Sequence, residues 1–166
     1  MILLQSDYCV VPLSQGYEAY VSPEDYERVM QYKWYVHRGQ SRKSLYARGR
    51  VDVEGKRKLI LLHCFIGGVS NLDHEDGNGL NCTRNNLRVP PSHSHNIANQ
   101  SARNPTGFKG VRKVGKKYSA SITNGKNSAK HIGCYLTAEE AARAYDKEAS
   151  VRWGSFAQLN FPKSTE

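Results

Sequence analysis

The sequence predicts an α+β protein built in two parts, and three observations carry that expectation. Strand-like and helix-like runs in the first hundred residues are short and intermixed. Three short β-rich runs at 109–114, 118–123 and 130–135 then stand in series, with hairpin signals at Gly115 and Asn124-Gly125 between them. One long helical pattern follows directly, opened by the capping box Thr137-Ala138-Glu139-Glu140. The expected C-terminal architecture is therefore a three-stranded antiparallel sheet packed on one helix. A polar stretch at 100–107, with Asn104-Pro105-Thr106-Gly107 as its turn, reads as a linker and sets the expected domains at 1–103 and 104–166.

Ser22-Pro23-Glu24-Asp25 has the make-up of a helix start: Ser22 as N-cap, Pro23 at the first helical position, and acids facing the positive end of the dipole. That helix should reach about Gln31, with Tyr26, Val29 and Met30 on one face. Trp34-Tyr35-Val36 and Ser44-Leu45-Tyr46-Ala47 read as strands with a basic loop between them. Residues 58–65 fit either a strand or a buried helix, because periodicity does not separate the two. Asp76-Gly77-Asn78-Gly79 is a strong turn signal, and Leu87-Arg88-Val89 is the strand returning from it. Pro90-Pro91 stops that strand, and Ser92 caps a short helix to about Gln100. In the last helix, running to about Trp153, Ala138, Ala141, Ala142, Tyr145 and Ala149 share one face. Such small side chains let a helix lie close against a sheet.

The chain has 166 residues and a net charge of +9, enough for one ordinary domain or two small ones. Between Gly77 and Ala138 there is no Asp or Glu, yet there are ten Lys or Arg. A surface so biased approaches phosphates without repulsion from fixed carboxylates, which points to a nucleic-acid partner. Cys9, Cys64, Cys82 and Cys134 form no C-x-x-C pair and no zinc spacing, so they read as free, mostly packed thiols in a reducing cytosol. The longest nearly apolar run, 59–69, is too short to cross a bilayer, and the N-terminus lacks a signal-peptide pattern. These features lead to an expected cytoplasmic location and no membrane partner.

Chemistry concentrates between His63 and Asn99. Asp73 and His74 are adjacent, and Asn86 and Asn96 follow at short spacing. A neutral His can take a proton from water near neutral pH. A divalent cation can stabilise a scissile phosphate, and Mg²⁺ keeps several waters, so one carboxylate and one amide oxygen suffice as protein ligands. On a strand, Asp73 and His74 would point to opposite sides; a bend would be needed to bring both to one phosphate. The Asn86 amide is placed to tie the intervening loop to its own backbone. His63 reads as a packed, hydrogen-bonded residue. A transition-metal site using His93 or His95 stays open, since imidazole favours Zn²⁺ or Ni²⁺.

Leu72-Asp73-His74-Glu75-Asp76-Gly77-Asn78-Gly79-Leu80-Asn81 through Asn85-Asn86-Leu87-Arg88 resembles the core of the HNH homing endonucleases. The N-terminal segment, with Glu24-Asp25-Tyr26, Lys33-Trp34 and Leu62-His63, is also similar to phage- and intron-encoded members. The resemblance implies a ββα-metal (His-Me finger) core at about 61–103 that cuts DNA with one divalent ion, Mg²⁺ with Mn²⁺ able to substitute. Carried over by position, it makes Asp73 and Asn96 the metal ligands, His74 the general base and Asn86 the structural middle residue. Arg88 joins them as a DNA contact. Cys64 stands where the family usually has Arg, and Cys82 where it has Asn.

Phe108-Lys109-Gly110-Val111-Arg112, Ile132-Gly133-Cys134-Tyr135, 137–146 and Leu159-Asn160-Phe161-Pro162 resemble the APETALA / ethylene-response-factor DNA-binding domain. That resemblance implies a sheet laid into the major groove of duplex DNA. Lys109, Arg112, Lys116, Tyr118 and Lys130 are the expected contacts, cations and an aromatic on strands. Lys109 stands for Arg, Tyr118 for Trp and His131 for another Trp, and Lys lacks the planar fork that reads guanine bidentately. The expected whole is a monomeric DNA endonuclease with an appended DNA-binding module. The alternative is a non-catalytic DNA-binding regulator with a decayed nuclease core.

Overall fold

The computed structural model describes residues 7–39, 44–100, 102, 104–123 and 128–162, and at His93 the backbone only. The basic loop around Arg42-Lys43, the Asn124-Gly125 hairpin and the His93 side chain lie outside the described residues. Among the described residues the architecture is α+β, with mainly antiparallel sheets and four α-helices, and the chain divides into two compact units, Met1–Val89 and Pro90–Glu166. This division places Asn96 in the second unit, whereas the expected domain limit at 103 would place it in the first.

In the first unit, β1 (Cys9–Pro12) pairs antiparallel with β2 (Glu18–Val21). Alternation buries Val11, Ala19 and Val21 on one side. α1 (Pro23–Met30) follows with Pro23 at its start, as expected. Ser22 occupies the N-cap position, but its hydroxyl accepts the Arg84 amide at 2.9 Å instead of capping α1. The buried face carries Asp25 and Val29 with Tyr26 beside them, while Met30, expected there, is exposed. An acidic residue holds this inner position because Arg28 and Arg84 neutralise it.

β3 (Trp34–Arg38), β4 (Leu45–Val53) and β5 (Lys56–Leu61) form an antiparallel meander in that order. The ambiguous apolar run resolves into both alternatives: β5 ends at Leu61, and α2 (Leu62–Gly67) begins at the next residue. Leu62 and Ile66 of α2 join Val11, Val21, Val29, Trp34 and Val51 in one core. The Trp34 indole N–H donates to the Val29 carbonyl at 2.8 Å, fixing α1 to the meander. Two short ladders close the unit. β6 (Asp73–His74) pairs antiparallel with β8 (Leu87–Arg88), and β7 (Asn81–Cys82) runs parallel to β2.

In the second unit, α3 (His93–Ala98) precedes the sheet β9 (Val111–Val114), β10 (Lys117–Thr123) and β11 (Ala129–Tyr135), with β10 central. A bulge shifts the β10–β11 register between Ala120 and Ser121. α4 (Ala138–Trp153) starts at the expected capping box and buries Ala141, Ala142, Tyr145 and Ala149. The first strand begins two residues later than expected because Gly110 adopts φ +74° and lies against Tyr145. A Cβ there would stand 2.0 Å from the Tyr145 ring. The buried Asp146 carboxylate accepts the Asn160 and Phe161 amides, both at 2.9 Å, and so ties the segment after α4 back to it. Among the described residues, no helix is long and apolar enough to cross a membrane.

Candidate active site and basic sheet faces

The β6–β8 ladder sets Asp73 opposite Arg88 and His74 opposite Leu87. Alternation then sends successive side chains to opposite faces. On one face Arg88 donates to Asp73 Oδ2 from both Nε and Nη2 at 3.3 Å, and to Glu75 at 3.2 Å. Arg88, expected as a DNA contact, is therefore held between two carboxylates with its side chain 15% exposed. The ladder register makes Asp73 its direct cross-strand neighbour.

His74 occupies the other face among buried groups. Its ring stands edge-to-face with His63, centroids 4.6 Å apart, and 6.0 Å from Tyr46. Its Nε2 lies 3.9 Å from Cys82 Sγ. Burial lowers the His74 pKa from its ordinary value, while the charges of Asp76 and Asp73 work the other way. The result favours the neutral imidazole, the form able to accept a proton. Burial raises the Cys82 thiol to about 12, so the sulfur beside His74 is protonated and unreactive at neutral pH.

Asn86 does what its amide was expected to do. Its Oδ1 accepts the Asp76 amide at 3.0 Å, and its Nδ2 donates to Asp76 Oδ1 at 3.0 Å and to the Asn81 carbonyl at 2.7 Å. Asp76 also accepts from the Asn78 amide and from Asn81 Nδ2, both at 2.8 Å. These bonds tie the exposed turn after His74 to Asn86 and to itself. Gly79 completes the turn, because a Cβ there would meet Leu45 O at 2.4 Å and the Tyr46 ring at 2.6 Å.

His63 corrects the sequence reading. It is buried as expected, but its Nδ1 has no hydrogen-bond partner. Burial, with a smaller contribution from His74, pushes its pKa down to about 4. Long-range contacts that periodicity does not reveal hold this region in place. Asp25 receives Arg84 at 2.7 and 2.8 Å and Arg28 at 2.8 Å. Burial alone would raise the Asp25 pKa, but those hydrogen bonds and charges outweigh it and hold it below the ordinary value.

Among the described residues, no three His, Cys, Asp or Glu side chains are grouped to hold a metal. That excludes a closed cage of such ligands there, yet an oxygen-preferring ion that keeps most of its waters needs only one or two protein oxygens. Asp73 presents a hard carboxylate of the kind such an ion prefers, with its Oδ2 held by Arg88. Asn96, the expected second ligand, is half-buried on α3 of the second unit. On the same helix, His95 Nδ1 is 2.8 Å from Ser92 Oγ, and its ring packs edge-to-face on Phe156.

The second unit rearranges the expected contacts. Lys109 turns inward: its ammonium donates to the carbonyls of Ile97, Ala98 and Gln100, and burial lowers its pKa to about 8. It stabilises the end of α3, where carbonyls lack helical partners. Tyr118 packs against the Val111, Ala120, Ala141 and Ala142 cluster on the helix side. Lys130 pairs with Glu148 of α4 at 2.6 Å. Alternation along β10 sets Tyr118 on the face of the buried Ala120, and along β11 it sets Lys130 on the face of the half-buried Ile132. Arg112 and Lys116 are exposed, as expected. Opposite the helix, Arg112 lines a groove of about 710 Å³ with Lys113, Ser119, Ser121 and His131.

The first unit has a basic face that sequence reasoning missed. The register pairs Tyr35 with Arg48 and then Leu61, His37 with Tyr46, and Arg50 with Leu59. All lie opposite the buried Ala47 and Val51 face. The signal was present in the alternation of 45–53, where Ala47, Gly49 and Val51 are small or apolar and Arg48 and Arg50 are basic. This face leads through Tyr46 to His63 and His74.

The chain belongs to the HNH endonuclease family. It is 33% identical over 150 residues to an uncharacterized HNH endonuclease of Acanthamoeba polyphaga mimivirus, covering 88% of this chain and 76% of that protein. It is also similar to two Arabidopsis thaliana proteins. Dehydration-responsive element-binding protein 2E matches over 66 residues at 44% identity, and protein 2A over 59 residues at 42%. Each match covers 34% of this chain but only 27% and 18% of those proteins. No family model matches the chain, and no solved structure matches it.

Proposed function

We propose that this protein is a metal-dependent DNA endonuclease, a homing enzyme of the phage- or mobile-element-encoded type acting in a bacterial host cell. The observation that carries the reading is His74, buried with a lowered pKa, next to Asp73 in the chain and just ahead of a turn that Asn86 closes. His74 takes the proton of the attacking water as general base. Asp73 is the ligand that the first unit offers to one divalent ion, Mg²⁺ or Mn²⁺, in a ββα-metal core. Bound there, the ion supplies stabilisation of the charge that builds on the scissile phosphate. Arg88 orients the Asp73 carboxylate through Oδ2. The groove beside Arg112 and the Arg48–Arg50 face supply cations for duplex DNA.

The test is cleavage of supercoiled plasmid and of host-locus DNA with and without Mg²⁺. Wild type should nick or cut only with metal, and His74→Ala should lose roughly 10²–10⁴-fold in rate while keeping DNA binding. Equal rates for the two proteins would refute the base assignment. The similarity to two dehydration-responsive element-binding proteins favours one other reading, a DNA-binding protein without cleavage. Absence of metal-dependent cutting on every DNA, with retarded gel mobility intact, would select that reading.

A further inference from the structure

The His63 ring comes from the first turn of α2 and stands on His74 with planes at 82° and centroids 4.6 Å apart. Tyr46 lies 6.0 Å from both rings, and Cys82 Sγ is 3.9 Å from His74 Nε2. Together these groups leave the His74 imidazole little room to turn. Hydrogen bonding does not account for His63. Its Nδ1 is the one buried side-chain polar atom without a partner among the described residues. Leaving such an atom unpaired is costly, and an apolar side chain would avoid that cost.

We propose that His63 is a positioning residue for the general base, an aromatic wall that confines the His74 ring to one orientation toward the attacking water. This rests on reading His74 as the base. The second side-chain torsion of His is broad and nearly two-fold, so an imidazole held only at its Cβ can present either nitrogen. Base catalysis needs one nitrogen within hydrogen-bond reach of the water, and loss of alignment is expensive. Edge-to-face contact at this distance lies in the preferred range for aromatic pairs. Because burial keeps His63 neutral at working pH, it neither competes for the proton nor repels the His74 cation.

The experiment compares wild type, His63→Ala and His63→Phe as full chains, with Trp34 emission confirming that the first unit is folded. His63→Ala should lower kcat about 30- to 100-fold with KM for DNA within about twofold, the scale of a misplaced catalytic group. His63→Phe, which keeps the wall and lacks the nitrogens, should recover to within about fivefold of wild type. In parallel, ¹⁵N-histidine NMR should show one His74 ring tautomer in wild type and His63→Phe, and a mixture in His63→Ala. Wild-type kcat and a single His74 signal in His63→Ala would overturn the proposal. So would equal impairment of both folded variants, since that assigns the effect to the nitrogens. If wild type cuts no DNA, the base reading fails by itself. The NMR comparison then still decides whether His63 confines His74.

Discussion

The two units solve the same problem by different means. In the second, neighbouring chain segments do the work: β9, β10 and β11 pair in sequence, and α4 covers them directly. In the first, the candidate site sits on two-residue ladders that cannot stand alone, held by residues far away in the chain. Asp25 reaches Arg84 59 residues away, and Ser22 reaches the Arg84 amide 62 residues away. A local meander makes a robust binding platform. A site assembled from distant pieces can place two imidazoles and a thiol side by side, and one lost contact disturbs it.

The chain has two tryptophans, and each unit buries one, Trp34 and Trp153. Replacing either with Phe leaves an emission signal that reports the other unit. Gly110→Ala should have the largest effect, about 3 kcal/mol or more on the Trp153 transition, because its Cβ strikes Tyr145 at positive φ. The Trp34 transition should stay in place; a shared shift would mean that the units unfold together. Asp25→Ala should do the reverse, lowering the Trp34 transition by about 2–3 kcal/mol as three charged hydrogen bonds are lost.

A pH titration sharpens the contrast. His63 has a folded pKa of about 4, below its ordinary value of 6.5. The folded state therefore binds its proton less readily than the unfolded chain. Its contribution is fully present above about pH 6.5 and is lost as pH falls toward 4, up to roughly 3 kcal/mol. Trp34 should report this loss, and His63→Phe should flatten it. Thr137→Ala should cost the second unit about 1 kcal/mol by opening the capping box. The smallest effect belongs to Lys130→Ala, which should leave the Trp153 transition almost unmoved, since its pair with Glu148 is exposed and screened by solvent.

Much of this organisation was legible in the residues. Thr137 and Glu140 announced α4, and the three strands followed from alternation between Gly and Asn-Gly signals. The Asn86 staple followed from an amide placed after a turn. Other features needed the third dimension. Ser22 reads as a cap from its neighbours, but in the fold Arg84 offers it another partner. Lys109 reads as an exposed cation until the end of α3 presents three carbonyls to it. Arg88 reads as a phosphate ligand until the ladder sets Asp73 beside it.

By itself the sequence determined α1, β3, β4, α3, the series β9 to β11 and α4, and which short motif gathers acid, base and amide. Those are local matters of torsion preference, capping and spacing. Tertiary structure alone decided which charges remain exposed and which are consumed inside, because that depends on partners tens of residues away. It also decided that His74 lies against His63, Tyr46 and Cys82. Burial among those groups, not the Asp-His dipeptide, is what keeps the imidazole neutral.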